Sequence, residues 1–123
     1  MVLIALALAS SVGATAPDTE SIGSAFFSLS PPSLSRQKAG VYVSGRVCRL
    51  GAVTLLSPEW VRIEHHGAGG SEIARAEIPP IHRGVGQSCA NYGVEVNWEF
   101  AAGDLVRACF DRGKACPPPQ GSR

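Results

Sequence analysis

The chain has no excess of charge of either sign. Its 123 residues carry 11 Lys and Arg against 10 Asp and Glu, a formal net charge of +1. No broad basic field exists to hold phosphate backbones or acidic lipid, so nucleic acid is not an expected partner. The sequence also lacks an apolar run of the roughly 20 residues that cross a bilayer as a helix, so no membrane span is expected in the mature form. No C-x-x-C pair occurs. Structural zinc sites and thioredoxin-like chemistry both use closely spaced thiols, so neither a metal nor a redox cofactor is expected. The only methionine is Met1, which argues against a soft Cu(I) site. No serine lies in a G-x-S-x-G elbow, a setting that makes it a nucleophile. Continuous runs of strong helix formers are missing as well. The 14 Gly and 9 Pro favour strands joined by turns over a helical bundle.

What is present begins with an address. Residues 1–16 carry no charge, and Val2, Leu3, Ile4, Ala5, Leu6, Ala7, Leu8 and Ala9 form an apolar stretch followed by small residues, the shape of a secretory signal peptide. The alternative is a core strand or helix, but a uniformly apolar run lacks the period of an amphipathic element. Small-residue cleavage patterns end at Ala14 and at Ala16. Cleavage after Ala14 is favoured, because the second would leave Pro17 as the first mature residue. No Lys or Arg precedes the run, as is usual in signal peptides, which leaves a start upstream of Met1 open. No cysteine follows closely, so no lipid anchor on a mature N-terminal Cys is expected. The expected destination is the periplasm or the extracellular space.

Residues 17–39 are rich in Ser and Pro and read as a spacer, able to add an edge strand through Phe26, Phe27 and Leu29. Residues 117–123 read as a disordered tail. Between them, 40–116 alternates with period two. Tyr92, Val94, Val96, Trp98 and Phe100 share one face, with Glu95, Asn97 and Glu99 on the other. Val41, Val43 and Val47 alternate with Tyr42, Ser44 and Arg46; Val61 and Ile63 with Arg62 and Glu64; Val106, Ala108 and Phe110 with Arg107 and Cys109. A weaker segment sets Ala74, Ala76 and Ile78 against Arg75 and Glu77. The stretches at 67–71 and 101–104 fit hairpin turns, the first supplying positive φ through glycine. These five strands, rising to six or seven with the Phe26 patch and the 53–56 stretch, predict an all-β fold, a small antiparallel β-sandwich stabilised by disulfides. In architecture it resembles immunoglobulin-like or transthyretin-like sandwiches. No family motif accompanies that resemblance, so it implies fold alone.

Cys48, Cys89, Cys109 and Cys116 are even in number in a small exported domain, where disulfides are expected. Cys109 and Cys116 flank a polar, glycine-containing stretch that can reverse the chain, so the favoured pairs are Cys109 with Cys116 and Cys48 with Cys89. An inter-sheet bridge between Cys48 and Cys109 is disfavoured, because both lie opposite their strands' apolar rows. Each bridge would contribute roughly 2 to 4 kcal/mol.

No catalytic residue is assigned. His65 and His66 point to opposite faces of a strand, so at most one can join His82, and a solvated strand end before a glycine turn explains them more simply. Glu95 and Glu99 share a strand face at about the spacing of glycosidase carboxylates, but a solvated polar face accounts for them too. Trp60 suits either the core or a stacked sugar. The segment 78–89 is stiffened by Pro79 and Pro80 and ends at a disulfide. It offers Ile81, His82 and Arg83 as a binding loop, since a rigid loop loses little entropy on binding. The expected function is therefore a non-catalytic exported module for recognition or structure, with a protein or glycan partner. A small secreted inhibitor of a hydrolase is the alternative, and a minimal hydrolase using Glu95 and Glu99 comes third.

Overall fold

The alternating segments become strands. In the computed structural model, which describes residues 16–50, 59–81 and 88–118, eight strands form and no helix appears among the described residues. They are β1 (Asp18–Ile22), β2 (Phe27–Leu29), β3 (Ser33–Gln37), β4 (Gly40–Arg49), β5 (Trp60–Gly67), β6 (Gly70–Glu77), β7 (Cys89–Val96) and β8 (Leu105–Phe110). All five expected strands are among them. The expected signal peptide up to residue 15, the 53–56 stretch, residues 82–87 of the expected binding loop and the last five residues of the tail lie outside the described residues. No helix among the described residues is long and apolar enough to cross a membrane.

The strands make two sheets. One has the order β1-β8-β5-β6; in the other, β4 carries β7 along one edge while β2 and β3 share the opposite edge. Period two decides what each sheet buries. Val41, Val43 and Val47 of β4 and Tyr92 and Val96 of β7 meet Val61 and Ile63 of β5 and Val106, Ala108 and Phe110 of β8 in one apolar core. Phe27 and Phe110 bridge the layers edge to face, 6.2 Å apart. Burial of each Val or Ile contributes about 1.5–3 kcal/mol, which selects this register over a one-residue slip.

The sequence expectation of a purely antiparallel sandwich needs correction, because β1 runs parallel to β8, from Asp18 beside Leu105 to Ile22 beside Cys109. The reading of 17–39 as a spacer is also revised. This segment supplies three strands, since Phe27 and Leu29 are buried and Ser21 Oγ donates to the Leu29 carbonyl at 2.5 Å, tying β1 to β2. Pro31 and Pro32 lack the N–H a ladder needs, and that splits β2 from β3. Ser30 repairs part of the break. Its N–H donates to the Arg46 carbonyl at 2.9 Å, and its Oγ accepts from the Arg46 N–H at 2.8 Å.

Two turns divide the expectations. Gly67 faces Gly70 across a β5–β6 hairpin, with Gly70 at φ +128° as the turn requires. The 101–104 stretch does turn tightly, Asp104 N–H donating to the Ala101 carbonyl at 3.1 Å, but it is not a hairpin. Its strands belong to different sheets, and 97–104 carries the chain between them. For that reason β7 ends at Val96 instead of reaching Phe100, and Trp98 and Phe100 leave the ladder to pack on the core from one end.

Both favoured disulfides are present. Cys48 and Cys89 sit opposite one another on β4 and β7, on the outer face, with Cα atoms 4.0 Å apart, at a narrow non-hydrogen-bonded pair. Cys109 and Cys116, with Cα atoms 5.8 Å apart, fold the chain after β8 back over the first sheet. Two disulfides in a domain of this size point to an oxidising environment.

Candidate functional site

The sequence-predicted contact of Ile81, His82 and Arg83 is anchored from below. Arg49 continues the inward row of Val41, Val43 and Val47 and is buried. Its Nη2 donates to the Ile81 carbonyl at 2.9 Å, while its backbone N–H donates to the Ser88 carbonyl at 2.8 Å. One residue thus holds both feet of the 82–87 segment, and the Cys48–Cys89 bridge stakes the second foot covalently. A guanidinium bond to a buried carbonyl is stronger than a neutral one, and the Arg49 Cζ also lies 5.9 Å from the Phe27 ring centroid. Ile81 itself is buried in the core, so its side chain fixes the loop's foot and is not presented to a partner. His82 and Arg83 lie outside the described residues.

The densest ionisable chemistry sits on β5, where consecutive residues face opposite ways. Glu64 points outward, yet it is buried, because the strap after β8 crosses it. Its Oε2 accepts from Arg62 Nε at 2.7 Å and from the Cys116 N–H at 2.8 Å, and His66 Nε2 lies 3.0 Å from Oε1. Arg107, opposite Glu64 on β8, donates to Glu20 at 2.5 Å and to the Pro117 carbonyl. Burial alone would raise the Glu64 pKa, but the bonds from Arg62, Cys116 and His66 outweigh it and hold the carboxyl below its usual range.

His65 points inward. The expectation that His65 and His66 close the strand in solvent holds only for His66, whose side chain is 41% exposed. His65 is buried, with Nδ1 2.8 Å from Glu72 Oε1 and Nε2 2.7 Å from Asp104 Oδ2. Trp98 stacks on its ring at 5.7 Å and Phe100 tilts against it at 4.7 Å. Burial would lower the His65 pKa; hydrogen bonds to Asp104 and Glu72 prevail and raise it. His65 and then the Ala101 N–H hold Asp104 below the usual carboxylate range. With both nitrogens engaged and Trp98 and Phe100 packed against its ring, the imidazole pins the 97–104 crossover to the first sheet. Neither nitrogen is left to take a proton from a substrate.

The remaining candidates do not converge. Glu95 and Glu99 are exposed, and with β7 ending at Val96 they no longer share one strand face. Trp60 is half-buried on the outer face of the first sheet, where Arg75 Cζ lies 4.7 Å over its ring. Arg75 is ion-paired with Asp111, whose carboxyl is held low first by the Gly113 N–H and then by Arg75. The partners of Glu64 and His65 were missed in the sequence because they lie far along the chain, Asp104 at a separation of 39 and Cys116 at 52. Arg49 was within reach, since its parity with Val47 already placed it on the inner face. No protein-family model matches this chain, and no curated protein and no solved structure matches it either.

Proposed function

We propose that this protein is a non-catalytic module, exported to the periplasm or the extracellular space behind a cleaved signal peptide, that recognises a partner through His82 and Arg83. Its sandwich is read as immunoglobulin-like or transthyretin-like, a platform whose loops carry binding. The observation that carries the reading is Arg49, whose backbone and side chain hold the carbonyls on either side of the loop. A loop with fixed feet loses less entropy on binding than a free one. The engagement of His65 and Glu64 within the fold supports a structural use of these two ionisable groups.

A His82→Ala/Arg83→Ala double variant tests the proposal. Thermal stability should be almost unchanged if the two side chains serve contact alone, while a partner captured from an envelope or secreted extract by the wild type is lost. Equal capture by both proteins would overturn it. Staked feet also suit an inhibitory loop. Inhibition of a protease or glycan hydrolase that vanishes in the same double variant would select that rival reading.

A further inference from the structure

The second sheet has a hole in its outer face. Along one edge of β4, β3 pairs as far as Ser44 and β2 begins only at Val47, because Pro31 and Pro32 interrupt the ladder. Gly45 and Arg46 face the gap. Gly45 belongs to the inward row of β4, and Tyr92, its partner on β7, packs over it on the core side: a Cβ on Gly45 would collide with the Tyr92 ring and its Oη. On the other side the gap opens into a hollow of about 490 Å³ that has Tyr42, Ser44, Arg46 and Asn91 among its lining residues.

Its walls are polar in a particular way. Ser30, Ser33, Ser44 and Asn91 line it with hydroxyl and amide groups, and Arg46 adds an exposed guanidinium with no ion pair among the described residues. Tyr42 lies across Gly93, where a Cβ would meet its ring, and is 41% exposed, so it offers a flat aromatic face beside these groups.

We propose that this hollow binds a saccharide. A sugar ring presents vicinal hydroxyls and one apolar face, which call for clustered hydroxyl and amide partners, an arginine fork and an aromatic platform. The hollow holds all three. The core of a protein interface would instead need apolar anchors, which its walls do not provide. The inference extends recognition to a second surface and does not depend on residues 82–87.

The test is a titration of the ¹⁵N-labelled protein with glucose, N-acetylglucosamine, galacturonate and their short oligomers, followed by amide shifts. At least one sugar should give saturable shifts at Ser33, Ser44, Gly45 and Asn91. Tyr42→Ala, which removes the exposed aromatic face, should weaken that binding about fivefold. Arg46→Ala, an exposed change, should also weaken binding, and His82→Ala/Arg83→Ala should leave it intact, which separates this site from the loop. No saturable shift in the hollow with any of these sugars, or wild-type affinity in both Tyr42→Ala and Arg46→Ala, would overturn the proposal.

Discussion

Replacing Cys48 and Cys89 together by Ala should destabilise the domain more than the same change at Cys109 and Cys116. The first pair closes a loop with a sequence separation of 41, for which the chain-entropy relation gives about 13 cal/mol/K, or about 4 kcal/mol at 25 °C. The second pair is separated by 7, and the same relation gives about 2.4 kcal/mol. The native contacts around each bridge survive its loss. Beneath the first, β4 and β7 remain paired from Val41–Val96 to Val47–Ala90. Beneath the second, the strap keeps its bonds from Cys116 to Glu64 and from Arg107 to Pro117. The difference of about 1.5 kcal/mol is therefore expected from the unfolded chain alone, and it corresponds to slightly more than tenfold in the unfolding constant. Urea unfolding of the two double variants under non-reducing conditions, followed through Trp60 and Trp98 fluorescence, measures it. Equal costs, or a larger cost for the short bridge, would refute the reasoning.

Stability should depend on pH with an identifiable sign. His65 is raised above its ordinary 6.5, so its contribution is full below that value and is lost as pH climbs through the folded pKa. Glu64 and Asp104 are lowered, so theirs is full above their ordinary 4.5 and 3.8 and is lost as pH falls through the folded values. The thermal midpoint should peak between 4.5 and 6.5, and His65→Gln should remove the alkaline decline and also shrink the acid limb to the share of Glu64, because His65 is the first group that holds Asp104 low; a wild-type midpoint that stays level above 6.5 contradicts this. Ile81→Ala should cost about 2–4 kcal/mol as a buried truncation, whereas His82→Ala and Arg83→Ala should each fall within about 0.5 kcal/mol. Denaturant curves of the three single variants compare them directly, and a neutral Ile81→Ala would count against its burial.

The strands were legible because one face of each is buried: Val41, Val43 and Val47, or Val61 and Ile63, repeat with the only period a half-buried strand allows. The disulfide pairing was legible from the turn chemistry between Cys109 and Cys116. Sheet membership was not. Nothing local tells that β7 joins β4 while β8 joins β5, so the 101–104 turn read as a hairpin. Residues 18–37 escaped because their strands are short and bury few side chains, with serine hydroxyls doing part of the ladder's work around the two prolines. The ionic knots on β5 escaped for a related reason. Glu64 and His65 look solvated until the strap and the crossover, both distant in sequence, are laid over them. The hollow beside Gly45 needs both the proline break and Asn91 from another strand, a coincidence no single segment reveals.

The account depends on a domain held shut by oxidised thiols outside the cytoplasm. Non-reducing peptide mapping of the protein recovered from its native compartment tests that most directly. It should return Cys48 linked to Cys89, Cys109 linked to Cys116, and a mature N-terminus just after Ala14. Four free thiols in a protein that keeps its fold in reductant would contradict it.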